Sequence, residues 1–163
     1  MATISDEALA AIGRLTVAMT DLEFTLAWIG ADQEGGDQGK VFAKPGEAVR
    51  AARGSVEFAP AAYREAFLEA VGDAGRLLAQ GHAAIRALWL GSSDDEAAID
   101  VLTLRSTKIR QPVEPALLNN LTVQLQDCRA RLDSLLNALL SDRRPTSAGR
   151  EPIRGTEHHG YGP

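Results

Sequence analysis

The sequence predicts an all-α domain, a bundle of four or five helices in up-down order, and three observations carry that reading. Apolar residues recur at alternating three- and four-residue steps near each end of the chain, as Ile12, Leu15, Met19, Leu22, Leu26 and Ile29, and again as Leu118, Leu121, Leu125, Cys128, Leu132, Leu135 and Leu139. A third and longer periodic run lies between them, marked by Phe67, Leu68, Val71, Leu78, Ile85 and Leu88. Only one segment, within 98–107, changes to a period near two, so a single short extended excursion interrupts the helices.

Taken in order, Ser5 is a good N-cap, and Asp6 and Glu7 place negative charge at the positive end of the first helix dipole. Ile4 and Leu9 are spaced for a hydrophobic staple. This helix is expected over about 5–30, followed by a polar, glycine-rich loop over 32–39. Lys44-Pro45-Gly46 opens a short helix to about Ala52, with Arg53-Gly54 ending it. Ala59-Pro60 starts the long middle helix, which runs to about Leu90. Gly72, Gly75 and Gly81 weaken it, so that it bends or divides there, or receives a close neighbour.

Gly91 to Asp95 reads as a turn or an N-cap. Val101 to Thr107 then alternates as a strand or hairpin arm that needs a partner, within the chain or in a second copy. Pro112 and Pro115 introduce the last helix. Its seam matches that of the first, so the first and last helices are expected side by side. Cys128 lies on the seam and reads as a core filler. The bundle domain is assigned to 1–141. Residues 142–163 lack apolar periodicity and are rich in Pro, Gly and charge, which predicts a disordered tail.

Composition narrows the function classes. The chain has 163 residues, 45% of them hydrophobic, enough to bury a core without metals or disulfides. Its one cysteine forms no intramolecular disulfide, and the compartment expected is the cytoplasm. No apolar run is long enough for a membrane span, and Asp6 and Glu7 argue against a signal peptide. With 5% aromatic residues and a net charge of -5, neither a wide base-stacking platform nor a broad basic face is expected.

Chemistry-bearing motifs are few. There is no phosphate-binding glycine loop, zinc-ligand spacing or nucleophile elbow, so no cofactor or metal is expected. Asp94-Asp95-Glu96, beside Ser92 and Ser93, reads as a helix start or solvated turn. His158 and His159 are adjacent but lack further ligands. The stretch from Arg76 to Trp89 is more informative. Leu77, Leu78, Ile85, Leu88 and Trp89 fall on one side of an ideal helix, with His82 and Arg86 adjacent along the margin of that apolar arc. Such a margin is a solvated border, a phosphate-binding pair, or part of a catalytic centre.

An opening helix with Leu22-Glu23 in an apolar seam, a middle helix with Arg and His before Leu88-Trp89, and a leucine-rich closing helix together resemble the HEPN superfamily over roughly residues 5–141. The resemblance implies an all-helical homodimer from a defence or toxin–antitoxin type system that binds RNA or a partner protein. In that family an Arg and a following His line a cleft between two copies and cleave RNA without a metal. Two registers fit. Arg76 and His82 satisfy the loose spacing, yet lie about 120° apart around the helix and need a bend near Gly81 to converge. Registration on Leu88-Trp89 instead places the family's Arg on Gly81, its polar companion on His82 and its His on Arg86, so both catalytic identities are lost and the motif is degenerate. An enzyme of this kind would be a metal-independent endoribonuclease. Arg76 or Arg86 would steady the phosphate, and His82 would exchange a proton with the 2′-hydroxyl or leaving oxygen.

Two other readings stand beside it. One is a small helical interaction or inhibitor module with no nucleic-acid role, which the acidic balance favours; the other is a bundle that binds a small molecule in a pocket beside the middle helix. For a homodimer, the strand and the flank of the middle helix offer surface.

Overall fold

The computed structural model describes residues 5–31, 46–90, 98–102 and 108–142. The expected staple at Ile4, the loop at 32–39, the turn at 91–95, most of the extended run after Leu102, the tail after Asp142 and the His158-His159 pair lie outside these residues. So does the side chain of Trp89.

The fold is helical. Among the described residues there are four helices, α1 (Asp6–Gly30), α2 (Glu47–Val56), α3 (Ala61–Leu90) and α4 (Pro115–Asp142), with a two-stranded hairpin between α3 and α4. Helix α1 begins as its cap requires: Ser5 is extended at φ -67° and ψ 154°, and its hydroxyl accepts the backbone N–H of Ala8 at 3.2 Å. Its seam residues Leu15, Met19, Leu22, Leu26 and Ile29 are buried.

Helix α2 starts after Gly46, whose φ of 77° is in the left-handed region that favours glycine. The expected stop at Arg53-Gly54 is not observed, because the helix continues to Val56. Ala48, Ala52 and Val56 form one buried stripe at four-residue spacing. Burying a valine side chain is worth about 1.5–3 kcal/mol, against about 1 kcal/mol for glycine inside a helix, so the stripe overrides the breaker.

Helix α3 is a single element of 30 residues and does not divide at its glycines. Gly81 receives a close neighbour instead. A Cβ built there would lie 2.6 Å from the Met19 sulfur of α1. Gly30 of α1 meets backbone in the same way, since its Cβ would lie 2.9 Å from the Ala52 nitrogen of α2.

The extended excursion has its partner within the chain. Strand β1 (Ala98–Leu102) pairs antiparallel with β2 (Lys108–Pro112), Ala98 opposite Pro112 and Leu102 opposite Lys108, and β1 packs against α3. Pro112 therefore does not introduce the last helix. At the end of a two-stranded ribbon its missing N–H disturbs no further ladder, and Pro115 takes the first helical position, where proline is well suited.

In α4, Leu118, Leu121, Leu125, Cys128 and Leu132 are buried, and α4 packs extensively against α1. The matched seams thus meet as expected. Helix α2 lies against α1, and α3 against α4. Surface pairs fix these contacts from outside: Arg129 reaches Asp21 of α1 at 2.9 Å and Arg131 reaches Glu69 of α3 at 2.6 Å. Exposed pairs of this kind add at most about 1 kcal/mol each. Among the described residues no helix is long and apolar enough to cross a membrane.

The glycines separate into two classes that unfolding experiments distinguish. Gly30→Ala is expected to lower stability by about 1–3 kcal/mol, because the added methyl meets backbone that cannot move aside cheaply. Gly72→Ala, where the added methyl meets nothing within 4 Å on an exposed helical position, is expected to raise stability by about 0.5–1 kcal/mol in urea unfolding.

Candidate functional site

The close approach at Gly81 decides what surrounds His82. Glu23 lies one turn beyond Met19 on α1, and His82 follows Gly81 on α3. Bringing Met19 onto Gly81 therefore brings Glu23 onto His82. The His82 Nε2 atom is 3.5 Å from Glu23 Oε1, and the imidazole side chain stays 51% exposed. Arg86, one turn further along the same face, is exposed and pairs with no acidic group among the described residues.

Arg76 lies on the α4 side of α3. Its guanidinium bonds Asp73 at 3.1 Å, and the other carboxylate oxygen of Asp73 lies 3.5 Å from Arg131 of α4. The three candidate residues thus do not converge. His82 and Arg86 share the margin toward α1 with Glu23, while Arg76 is committed to a charge network on the α4 side. The chemistry available at the margin is a carboxylate-paired imidazole beside one guanidinium. It can contact an anion, and the imidazole can move a proton. Among the described residues no cluster of three or more His, Cys, Asp or Glu is placed to hold a metal.

A second feature was not read from the sequence. Where α1, α2 and α4 finish and α3 begins, a groove of about 420 Å³ opens, walled by Trp28, Val56, Phe58, Phe67, Leu136 and Leu140 among others. Phe67 and Val56 form its buried floor. Phe58, Trp28 and Leu140 stand at its rim, 80%, 55% and 50% exposed, and Phe24, one turn before Trp28, is 52% exposed. The signal was present in α1, where Val17, Phe24 and Trp28 form a second apolar stripe off the seam. The Tyr63 hydroxyl of α3 donates to the Asp142 carboxylate of α4 at this end. That hydrogen bond raises the phenol pKa.

Cys128 is inert packing. Its thiol is buried between helices and donates to the Ala70 carbonyl at 3.6 Å. Burial pushes its pKa up to about 11, helped by Asp73 and opposed by Arg131 and Arg76.

No family model, curated protein or solved structure matches this chain.

The thiol supplies a direct check on the core. At pH 8 iodoacetamide is expected to alkylate Cys128 about 100-fold more slowly in the folded protein than in urea, because so little thiolate forms. A raised thiol pKa stabilises the fold below the unfolded value of about 8.5, and that contribution is lost as pH climbs to about 11. Equal alkylation rates in the two states would place the thiol in solvent.

Proposed function

We propose that this protein is a non-catalytic helical interaction module whose working surface is the apolar groove at the end of the bundle. One observation carries the reading: three exposed apolar side chains, Phe58, Trp28 and Leu140, line the same cavity. Isolated exposed hydrophobes are ordinary on any surface, whereas clustered ones beside a concave floor are the composition of a contact site.

The margin on α3 supports the same reading from the other side. A ribonuclease built as the HEPN resemblance implies needs an Arg and a His directed at one phosphate, and Arg76 is held by Asp73 on the α4 side of α3, while His82 meets Glu23 of α1. His82 meets a carboxylate, which competes with a phosphate for the imidazole. The overall charge of -5 adds a repulsive background for RNA.

A second reading rests on Arg86. It is exposed, shares a face with His82 and has no acidic partner among the described residues, which suits a HEPN-like protein with a degenerate motif that holds RNA or another phosphate without cutting it.

The two readings and the nuclease differ in one assay with single-stranded RNA. The interaction module is expected to leave RNA intact, with weak binding that His82→Ala and Arg86→Ala do not change. The second reading gives intact RNA with binding weakened about tenfold by Arg86→Ala, the worth of one charged hydrogen bond. Cleavage that disappears in His82→Ala while the circular dichroism spectrum is retained would overturn the proposal.

A further inference from the structure

We infer that the groove binds a small, uncharged, aromatic molecule carrying one hydrogen-bond donor, which the Ser55 hydroxyl accepts. The inference rests on the reading of this groove as the working surface and names the class of ligand that occupies it. Size, lining and charge each point the same way.

The recess is short. Helix α1 gives it Trp28 and Ile29, adjacent in sequence, and α4 gives the stretch from Leu136 to Leu140, a rise of about 6 Å. A partner helix docks through anchors at i, i+4 and i+7, which run about 10 Å, so walls of this length suit a compact occupant better than a helix. At about 420 Å³ the groove lies within the range of small-molecule sites, about 300–1,000 Å³. Since benzene fills a closed apolar cavity of about 150 Å³, there is room for a molecule of up to about 17 non-hydrogen atoms.

The lining sets the ligand's polarity. Among the described residues every side chain that lines the groove is apolar except Ser55, and Trp28, Phe58 and Phe67 offer rings against which another ring can pack. A polar group carried into such a site without a partner loses its hydrogen bonds to water, so the ligand carries few. Ser55 can meet one. Elsewhere in these helices Thr16, Thr20, Thr122, Ser134 and Ser141 donate their hydroxyls back to the carbonyl four residues earlier. The Ser55 hydroxyl makes no hydrogen bond among the described residues, which leaves its oxygen available.

Charge separates the remaining candidates. No charged side chain lines the groove among the described residues. Helices α1, α2 and α4 finish around it with the negative ends of their dipoles, and only α3 begins there with its positive end. The net charge of -5 acts in the same sense. An anion is therefore repelled, a cation finds no carboxylate in the lining to pair with, and a neutral molecule with an N–H or O–H group is accommodated without either cost.

The fluorophore N-phenyl-1-naphthylamine has this size, no charge and a single N–H, and 8-anilinonaphthalene-1-sulfonate is the same skeleton with one negative charge added. With the full chain titrated into a trace of each probe, the neutral one is expected to bind with a dissociation constant of roughly 10–200 μM, and the sulfonate at least about tenfold more weakly. Leu140→Glu, at a half-exposed wall position, is expected to weaken the neutral probe at least about tenfold, and Ser55→Ala about threefold, both with unchanged circular dichroism spectra. Leu9→Glu, about 28 Å along α1 from Trp28, is expected to leave binding as it was. The inference is overturned by an absence of binding up to about 500 μM chain, by a sulfonate that binds as tightly as the neutral probe, by binding that survives Leu140→Glu or Ser55→Ala, or by binding lost in Leu9→Glu. A mass of twice 17.4 kDa that falls to that of one chain as probe is added would give the groove to a second copy and overturn it as well. RNA cleavage in the assay above would overturn the interaction-module reading separately, since neither result determines the other.

Discussion

Everything in this fold depends on the burial of two leucine-rich helical stripes against each other. Leu15, Leu22 and Leu26 of α1 and Leu118, Leu121, Leu125 and Leu132 of α4 are wholly removed from solvent. At about 1.5–3 kcal/mol for each fully buried side chain, this seam outweighs the exposed ion pairs that accompany it, each worth at most about 1 kcal/mol. The chain has one cysteine, so no disulfide supports the packing. Because α1 and α4 are far apart in sequence, their pairing closes the chain, and α2 and α3 are then placed by the faces that remain.

Small residues set how closely those remaining faces approach. Gly30 admits the backbone of α2 at Ala51 and Ala52, and Gly81 admits Met19. The first contact sets how closely α2 lies against α1. The second brings Glu23 to His82. The surroundings of His82 thus follow from a packing choice made in the interior. A larger side chain at Gly81 would move them without replacing His82 or Glu23.

The seams were legible because a period of 3.6 is visible in one segment without knowledge of any other. Ser5 was legible for the same reason, since a cap is a local device. What could not be read depended on a partner outside the segment. Arg53-Gly54 has the composition of a helix end, but the burial of Val56 is decided by α1 and carries α2 past it. Pro112 resembles a helix opener until its pairing with Ala98 is known. Glu23 could be expected to meet some cation across the bundle, yet only the approach at Gly81 shows that it is His82. The second stripe of Val17, Phe24 and Trp28 was written in α1, but nothing in the sequence distinguishes a stripe that another helix covers from one left open.

The same physics ranks the two surfaces. The imidazole of His82 and the carboxylate of Glu23 both stay partly in water, where a charge interaction is worth only about 1 kcal/mol and a bound anion displaces little solvent. A site of that kind can touch a phosphate but stabilises a developing charge poorly, because catalysis of that type draws its strength from donors held in a dry, fixed pocket. The groove has the opposite property. Its floor includes the buried side chains of Phe67 and Val56, and an apolar group that enters it gains in proportion to the apolar area it covers. On the proposed interaction-module reading, recognition would therefore draw mainly on the groove, and the α3 margin would contribute at most a weak electrostatic preference.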